Sequence, residues 1–338
     1  MRNQVEHFCK KIGQDPLLVQ GAGGNVSWKE GELLWVKASG TWLANAMSQD
    51  IFVPVPMNEI LSEVKKNNFL FTPVSSNLNS LKPSIETILH ALMPQKFIVH
   101  VHAVEILSIL IRENSKEEIK RILGNDFNYI YLEYVKPGPD LAKAMHREIF
   151  KNPNAQIVFL ANHGVVIGAN SIQEIDDLLN EVSELMTSPK NNLMLKKLKN
   201  KKENYDSLMS AKKYRSVGDN TYNALALIPE LSNRLTSDWA VCPDHVVFLG
   251  HEAKILNKNI FPDEIGDSQE NSPVFIFSLD QGVYESLDVS IGQKAQLECY
   301  FEIIKRQDAK QKLSSLSPRQ VSDLLNWDAE KYRQSLKL

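Results

Sequence analysis

The spacing of apolar residues along the first part of the chain predicts strands that alternate with amphipathic helices. Apolar side chains recur every three or four residues over 2–13 and again over 171–188, which is the period of an α-helix with one buried face. Shorter apolar runs between these helices predict strands. The predicted strands are 25–29, 33–37, 51–55, 97–102, 129–133, 156–160 and 165–168. This alternation indicates an α/β fold.

Two shorter helices are predicted beside these strands. One covers 56–66, and the other begins at Ser84 and ends before Pro94. Serine is a favourable N-cap because its hydroxyl accepts a hydrogen bond from a backbone N–H of the first turn. A helix that begins at Ser84 carries Glu86 in its first turn and His90 one turn later.

Beyond residue 188 the pattern becomes less regular. Residues 189–206 contain six lysines and four asparagines, which is typical of a solvated helix surface or a linker. We therefore place a domain boundary near residue 205, between a first domain over 1–205 and a C-terminal extension over 206–338. The extension is predicted to contain β-rich stretches at 246–249 and 274–279 and helices at 289–306, 317–325 and 327–338.

Composition and charge exclude several classes of protein. Hydrophobic residues make up 43% and charged residues 23% of the 338 residues, as in ordinary globular domains. The formal net charge of −3 provides no overall field to attract nucleic acid or an anionic membrane. The chain has no apolar stretch of the length that crosses a bilayer, and residues 1–15 lack the apolar core of a signal peptide. Three scattered cysteines favour a reducing compartment. We expect a cytoplasmic protein without nucleic-acid or membrane partners.

Three histidines are candidate metal ligands. His100 and His102 alternate with valines in the predicted strand 97–102, and alternate residues of a strand project on the same face. His163 lies between two predicted strands and precedes a glycine, a place where α/β sheets often carry functional groups. Each histidine alone has a structural alternative, on an exposed strand face or bonded to backbone. Together they favour a metal site, since three imidazoles leave one position of a tetrahedral ion open, as catalytic zinc requires.

Glu86 is a candidate for acid–base chemistry beside this metal. It precedes His100 by fourteen residues (100 − 86 = 14). A carboxylate near a metal acts as a further ligand, as a general base, or as both in turn. The alternative is a capping glutamate at the start of a helix. His90, one turn further along, is predicted to pack or to hydrogen-bond locally.

Two loops of small residues, 21–27 and 37–41, are candidate anion sites. Backbone N–H groups of glycine-rich loops can surround a phosphate. The first loop lacks the third glycine of a dinucleotide fingerprint, because Val26 occupies that position, and neither loop contains a Walker Gly-Lys-Ser/Thr. This argues against a nicotinamide-dependent oxidoreductase. The loops therefore suit one phosphate rather than a pyrophosphate, although each alone is also an ordinary turn.

Five short motifs occur along the first part of the chain: GGNVS (23–27), ASGT (38–41), PSIE (83–86), HVH (100–102) and NHG (162–164). In this order they resemble the class II aldolase/adducin family, which includes fuculose-phosphate and rhamnulose-phosphate aldolases and ribulose-phosphate 4-epimerase. The rest of the chain is similar to the region that follows the aldolase domain in longer bacterial members. Among these is the aldolase half of bifunctional rhamnulose-phosphate aldolase/alcohol dehydrogenases.

The resemblance implies a three-layer α/β fold, in which helices flank a mostly antiparallel central sheet, with a smaller α+β C-terminal extension. It implies that His100, His102 and His163 bind zinc or another divalent transition metal, and that Glu86 is the ligand or acid–base carboxylate. The implied phosphate-binding residues are Gly24, Asn25, Ser39, Gly40 and Ser84, with Lys37 and Thr41 as possible helpers. The family tyrosine that protonates the aldehyde oxygen has no aligned counterpart, and Tyr131 and Tyr134 are candidates only as downstream phenols.

With these residues, the resemblance implies a zinc-dependent aldolase that cleaves a phosphorylated ketose, or a related sugar, through a metal-stabilised enediolate. The same site can support epimerisation, dehydration or decarboxylation of a phosphorylated sugar or sugar acid. A non-catalytic assembly protein, as in adducin, is a further alternative, but adducin-like domains lose the metal histidines that this chain keeps. The resemblance also implies a homo-oligomer, often a tetramer.

Overall fold

The computed structural model of the chain describes residues 1–76, 81–187, 213–218, 220–257 and 272–327. In the first part of the chain these residues form a central seven-stranded sheet. Its strands are β1 (Asn25–Glu30), β2 (Leu33–Lys37), β3 (Phe52–Pro56), β4 (Phe97–Val101), β5 (Tyr129–Leu132), β6 (Ile157–Leu160) and β7 (Gly164–Ala169). The strand order is β3-β2-β1-β4-β7-β6-β5, and each neighbouring pair is antiparallel except β5 and β6. The mostly antiparallel sheet is as predicted.

Helices cover both faces of this sheet. They are α1 (Arg2–Gly13), α2 (Met57–Lys65), α3 (Thr87–Leu92), α4 (Val104–Leu110), α5 (Ser115–Leu123), α6 (Pro139–Lys151) and α7 (Ile172–Leu185), with a short 3₁₀ helix at Leu43–Asn45. Helices α1, α4, α5 and α7 share a buried cluster with Val99 and Val101, whereas α2, α3 and α6 share another with Ile98. Because successive side chains of a strand point to opposite faces, His100 lies on the face that α3 covers.

Two element ends near the candidate site differ from the prediction. Strand β4 ends one residue before His102, so this histidine lies just beyond the strand. Helix α3 begins at Thr87 rather than at Ser84. The N–H of Ser84 donates to the carbonyl of Lys37 at 3.2 Å, and its hydroxyl accepts from the N–H of Glu86 at 3.2 Å. Ser84 therefore belongs to a turn fixed to the end of β2, and Glu86 immediately precedes the helix.

The described residues from 213 onward form a smaller α+β unit, as predicted for the extension. Its strands are β8 (Tyr214–Ser216), β9 (Lys254–Leu256), β10 (Phe275–Ser278) and β11 (Gly282–Ser286). They pair in the order β8-β11-β10-β9. Its helices are α8 (Ala224–Leu227), α9 (Pro229–Ser232), α10 (Arg234–Ser237), α11 (Pro243–Leu249), α12 (Ile291–Ile304) and α13 (Pro318–Leu325), with a 3₁₀ turn at Thr221–Asn223. Of the described helices, none has the length and apolar character needed to cross a bilayer.

The predicted β-rich stretch at 246–249 is wrong, because these residues form the end of helix α11. A short apolar run fits a buried helix as well as a strand. Pro243 occupies the first turn of α11, where its fixed φ suits a helix and its missing N–H leaves no hydrogen bond unmade. Val246 and Val247 are buried against Leu324 of α13. Tertiary packing therefore selects the helix.

Other predicted elements of the extension agree with the structure, namely the strand within 274–279 and the helices within 289–306 and 317–325. The boundary predicted near residue 205 lies outside the described residues and stays a prediction. The same holds for the predicted helix 327–338, of which only the first residue is described.

Helix α12 of the extension packs against α4, which begins two residues after His102. Just beyond α12, the Arg306 guanidinium lies 2.7 Å from the Glu105 carboxylate, and the Gln307 amide donates to the Ser108 carbonyl at 2.9 Å. Both parts of the chain contribute to one buried apolar cluster. These contacts place the extension next to the candidate histidines.

Candidate metal centre

The three candidate histidines come together at one end of the central sheet. Strands β4 and β7 pair in a register that places Val101 opposite Val165, so the turn that carries His163 lies beside His102. One ligand atom from each histidine, including His100, lies within 4.8 Å of those of the other two. All three side chains are buried. The sheet therefore assembles the cluster that the sequence predicted.

The imidazoles turn their Nε2 atoms toward one another. Nε2 of His102 is 3.2 Å from Nε2 of His100. The two carboxylate oxygens of Glu86 lie 3.5 Å from Nε2 of His100 and 3.5 Å from Nε2 of His163. On the other side of the His100 ring, Nδ1 lies 3.0 Å from the carbonyl oxygen of Val165. When Nδ1 donates to a carbonyl, Nε2 keeps its lone pair, which is the form that binds a metal.

Burial keeps the rings of His163 and His100 neutral. Desolvation lowers the pKa of His163 to about 3, and the nearby Glu86 carboxylate opposes this effect only in part. Desolvation also lowers the pKa of His100, again with Glu86 as the main opposing group. Because imidazole binds a metal in its neutral form, both rings are available as ligands at neutral pH.

The turn between β6 and β7 has a conformation that few residues accept. Asn162 has a φ of 56°, a left-handed conformation in which asparagine is enriched. Its side-chain amide donates to the Val241 carbonyl at 2.9 Å, which joins this turn to the extension. A Cβ on Gly164 would lie 2.5 Å from the carbonyl oxygen of Val101 and 3.0 Å from the His102 ring. Glycine is therefore required where this turn passes the end of β4.

Asn25 orients the Glu86 carboxylate. It lies directly across from His100 in the pairing of β1 with β4. Its side-chain amide donates to Oε2 of Glu86 at 2.9 Å, and both side chains are buried. Asn25, which the resemblance implies in phosphate binding, thus also contacts the candidate acid–base group.

The two loops of small residues and the histidine cluster border one cavity. Its empty volume is about 460 Å³, part of it open to solvent, and its lining includes Glu86, His102 and His163. The residues implied in phosphate binding all line it: Gly24, Asn25, Ser39, Gly40 and Ser84. Lys37 lines it as well, and its ammonium donates to the Ala22 carbonyl at 3.1 Å.

Other residues singled out in the sequence lie outside the cavity lining. His90 is fully buried, with Nδ1 2.7 Å from the hydroxyl of Ser27, which agrees with the predicted local role. The Tyr131 hydroxyl pairs with Ser115 at 2.7 Å. Tyr134 packs against the cluster formed by α11 and α13. The hydroxyl of Thr41 donates to the backbone at 2.8 Å. Within this chain, neither tyrosine reaches the cavity.

Two cavity residues, Pro243 and Asp244 in the first turn of α11, had no role assigned from the sequence. Oδ2 of Asp244 lies 3.3 Å from Nδ1 of His102, and both side chains are buried. A proline followed by an acidic residue is a helix-start signal that local sequence does contain. Nothing local connects that signal to His102, which lies 142 residues earlier (244 − 102 = 142).

Comparison with known proteins relates the first part of the chain to a known family. The family model "Class II Aldolase and Adducin N-terminal domain" matches residues 3–187. "Uncharacterized oxidoreductase YuxG" of Bacillus subtilis (strain 168) is 32% identical over 171 residues, which is 46% of this chain and 24% of that protein. "Probable methylthioribulose-1-phosphate dehydratase" of Dictyostelium discoideum is 28% identical over 171 residues, which is 44% of this chain and 69% of that protein. "L-fuculose phosphate aldolase" of Methanocaldococcus jannaschii is 26% identical over 172 residues, which is 49% of this chain and 82% of that protein.

The chain spans about a quarter of the length of the Bacillus relative. The family match covers more than half of the chain, from α1 to α7. It includes the three histidines, Glu86 and both loops, and it ends before the extension that carries Asp244. On this match, the chain belongs to the class II aldolase and adducin N-terminal domain family.

Proposed function

We propose that this protein is a zinc-dependent lyase that cleaves a carbon–carbon bond of a phosphorylated ketose. One observation carries the proposal: three buried histidines direct Nε2 toward a common region that the Glu86 carboxylate also faces. The cavity beside them is lined by the two loops of small residues. A phosphorylated ketose has the two features that such a cavity would recognise, a polar reacting carbon and a remote phosphate.

The donor set fits a divalent metal. His100, His102 and His163 would hold it through neutral imidazole nitrogens, and three such ligands leave room for substrate oxygen. When bound, the ion supplies Lewis-acid stabilisation of negative charge that develops on a substrate oxygen. Nitrogen donors suit zinc, and they also accept other divalent transition metals.

Glu86 would transfer the proton of the reaction. Its carboxylate lies 3.5 Å from two histidine nitrogens and accepts a hydrogen bond from the Asn25 amide at 2.9 Å. The side chain is buried and lines the cavity, so its oxygens lie close to where a bound substrate carbon would be. A carboxylate held in this way can take the proton that a substrate hydroxyl loses as the carbon–carbon bond breaks, and can deliver it to the carbon that the broken bond leaves with negative charge. The reverse reaction retraces both transfers.

The loops of small residues would bind the substrate phosphate. Gly24 has a φ of 66°, and this left-handed backbone is favourable for glycine. Backbone N–H groups of such loops, the hydroxyls of Ser39 and Ser84 and the ammonium of Lys37 would contact an anion in this cavity. Binding energy from the phosphate would hold the reacting carbon in place beside Glu86.

Metal analysis combined with a substrate screen tests this function. Purified protein incubated with zinc should contain about one zinc per chain bound at the three-histidine site. A panel of phosphorylated ketoses should yield one that releases a three-carbon ketone phosphate. His100→Ala should lose both zinc and turnover. The matched control is His7→Ala, because His7 is exposed on α1. A wild-type chain that takes up no zinc contradicts the proposal.

Dehydration of a phosphorylated sugar is the second candidate. The likeness to the probable methylthioribulose-1-phosphate dehydratase of Dictyostelium favours it. The same screen separates the two reactions, since dehydration keeps all carbon atoms in one product. Epimerisation leaves the product mass unchanged, and decarboxylation releases CO₂. The predicted zinc identity, cytoplasmic location and homo-oligomeric state stay predictions.

A further inference from the structure

The C-terminal extension places a carboxylate against one of the three candidate ligands. Asp244 lies in the first turn of α11, and its Oδ2 is 3.3 Å from Nδ1 of His102. This separation is slightly longer than the about 2.7–3.2 Å usual for an N–H···O hydrogen bond. The side chains are only 8% and 5% exposed. Little water therefore screens the attraction between the carboxylate and the ring.

Asp244 contacts the nitrogen of His102 that faces away from the cluster. The opposite nitrogen, Nε2, lies 3.2 Å from Nε2 of His100. A carboxylate at Nδ1 holds the proton on that atom, so the lone pair stays on Nε2. It also limits rotation of the ring, and it increases the basicity of the ligating nitrogen.

The three rings differ in what holds their Nδ1 atoms. Nδ1 of His100 lies 3.0 Å from the Val165 carbonyl within the sheet. Nδ1 of His163 has no hydrogen-bond partner among the described residues. His102, which lies beyond the end of β4, is the ring whose Nδ1 faces a carboxylate. The extension therefore supports the histidine that follows the end of the strand.

Neighbouring groups hold Asp244 in this position. The side-chain amide of Gln296 in α12 donates to Oδ2 of Asp244 at 3.3 Å, and Gln296 is buried. Just beyond α12, the Arg306–Glu105 ion pair joins the extension to α4. A Cβ on Gly23 would lie 3.4 Å from Oδ2 of Asp244 and 3.5 Å from Nδ1 of His102, so the first loop packs directly against this pair.

We propose that Asp244 is a positioning residue of the metal centre, and that the extension completes this centre by orienting His102. The inference rests on the proposed metal-dependent function. It assigns to the extension a role beyond packing, namely to increase the affinity of the three histidines for a divalent ion.

Zinc affinity in Asp244 variants tests this role. Loss of a carboxylate that supports a ligating histidine weakens metal binding by about 10–100-fold, so we expect that loss in Asp244→Ala. Asp244→Asn should lose less, because its amide oxygen can still accept from Nδ1 although it carries no charge. The dissociation constant is measured by competition with a chelator in the full chain, and the absorption spectrum of the cobalt-substituted protein reports the ligand geometry.

The control is Asp323→Ala, which removes an exposed aspartate of α13 and should leave zinc affinity and the cobalt spectrum unchanged. Thermal unfolding identifies any variant that fails to fold. If Asp244→Ala is unfolded, the zinc affinity and cobalt spectrum of the isosteric Asp244→Asn test the role of Asp244. Wild-type affinity and an unchanged cobalt spectrum in the folded variant overturn the role of Asp244. A wild-type chain that binds no zinc instead overturns the proposed function itself, and the two failures are thus distinguished.

Discussion

The first part of the chain and the C-terminal extension are held at the candidate metal centre by different kinds of contact. In the first part, sheet pairing sets the positions: His100 lies in β4, Asn25 lies across from it in β1, and His163 lies in the turn before β7. In the extension, Asp244 reaches the same centre from the first turn of the seven-residue helix α11. The first part depends on backbone hydrogen bonds between strands, whereas the extension depends on the packing of side chains between the two parts.

This difference corresponds to a division of roles between the two parts of the chain. The first part carries the groups that would touch the metal and the substrate, whereas the extension contacts the outer nitrogen of His102. Substitution of Glu86 in the first part should therefore act on turnover without loss of metal, whereas substitutions that displace or release His102, and those in the extension, should act on metal affinity or stability. Three further experiments test this division.

The largest effect is expected from Glu86→Gln in the first part. The variant keeps the size of the side chain and an oxygen that can accept from Asn25, but it lacks the carboxylate that takes up a proton. General acid–base catalysis contributes about 10²–10⁴-fold, so kcat should fall by that factor. Zinc per chain, measured on the same samples, should stay unchanged, as should both quantities in the exposed control Glu133→Gln. Parallel loss of zinc would identify Glu86 as a ligand instead.

A smaller effect is expected from Gly164→Ala, where the first part approaches His102. The new Cβ would lie 2.5 Å from the Val101 carbonyl oxygen and 3.0 Å from the His102 ring. Overpacking of this kind costs about 1–3 kcal/mol of the free energy of unfolding, and displacement of the ring should also weaken zinc binding. Urea unfolding and chelator competition measure the two effects.

Gly124→Ala provides the matched control, because Gly124 has a φ of 58° and no atom within 4 Å of an added Cβ. Alanine in this sparsely populated backbone conformation should cost about 1–3 kcal/mol of the free energy of unfolding, and zinc affinity should stay unchanged. Equal zinc affinities in the two variants would contradict the importance of the close approach at Gly164.

The smallest effect is expected from His245→Leu in the extension, as a change in the pH dependence of stability. Burial lowers the pKa of His245 to about 3, below the value of about 6.5 for an unfolded histidine. Below about pH 6.5 the unfolded state binds a proton that the folded state does not, so the free energy of unfolding falls as pH decreases toward 3. Removing the imidazole removes this contribution.

Urea unfolding of the metal-free protein at pH 7 and pH 5 measures this effect. His245→Leu should lose less stability between the two pH values than the wild type does. His90 and His163, whose pKa values burial also lowers to about 3, account for part of the remaining loss. His251→Leu, at an exposed position after α11, should keep the wild-type pH dependence. An unchanged loss in His245→Leu would show that the ring titrates near its ordinary pKa.

The sheet and the histidine cluster could be predicted because their signals are local. Alternation of valine with histidine over 99–102 is enough to indicate a strand and to place two imidazoles near each other. The NHG motif at 162–164 precedes a strand with the same kind of signal. A turn that needs left-handed Asn162 and side-chain-free Gly164 explains why those residue types surround His163.

The misplaced helix start at Ser84 and the helix at 246–249 show where local signals were insufficient. Ser84 has the residue type of an N-cap, but its N–H bonds to Lys37 at the end of β2, which holds it in a turn before the helix. The apolar run after His245 fits a strand by composition, and burial against α13 makes it helical. In both cases a partner distant in the sequence supplied the missing information.

The residue types of the site, its donor chemistry and the period of its strands are properties of short segments, and the amino-acid order alone was sufficient to establish them. The approach of Asp244 to His102 joins residues 142 positions apart (244 − 102 = 142). Such a contact depends on how α11, α12 and α4 pack, because side-chain packing between elements leaves no periodic pattern in either segment. Only the tertiary packing therefore decided that the extension reaches the candidate metal centre.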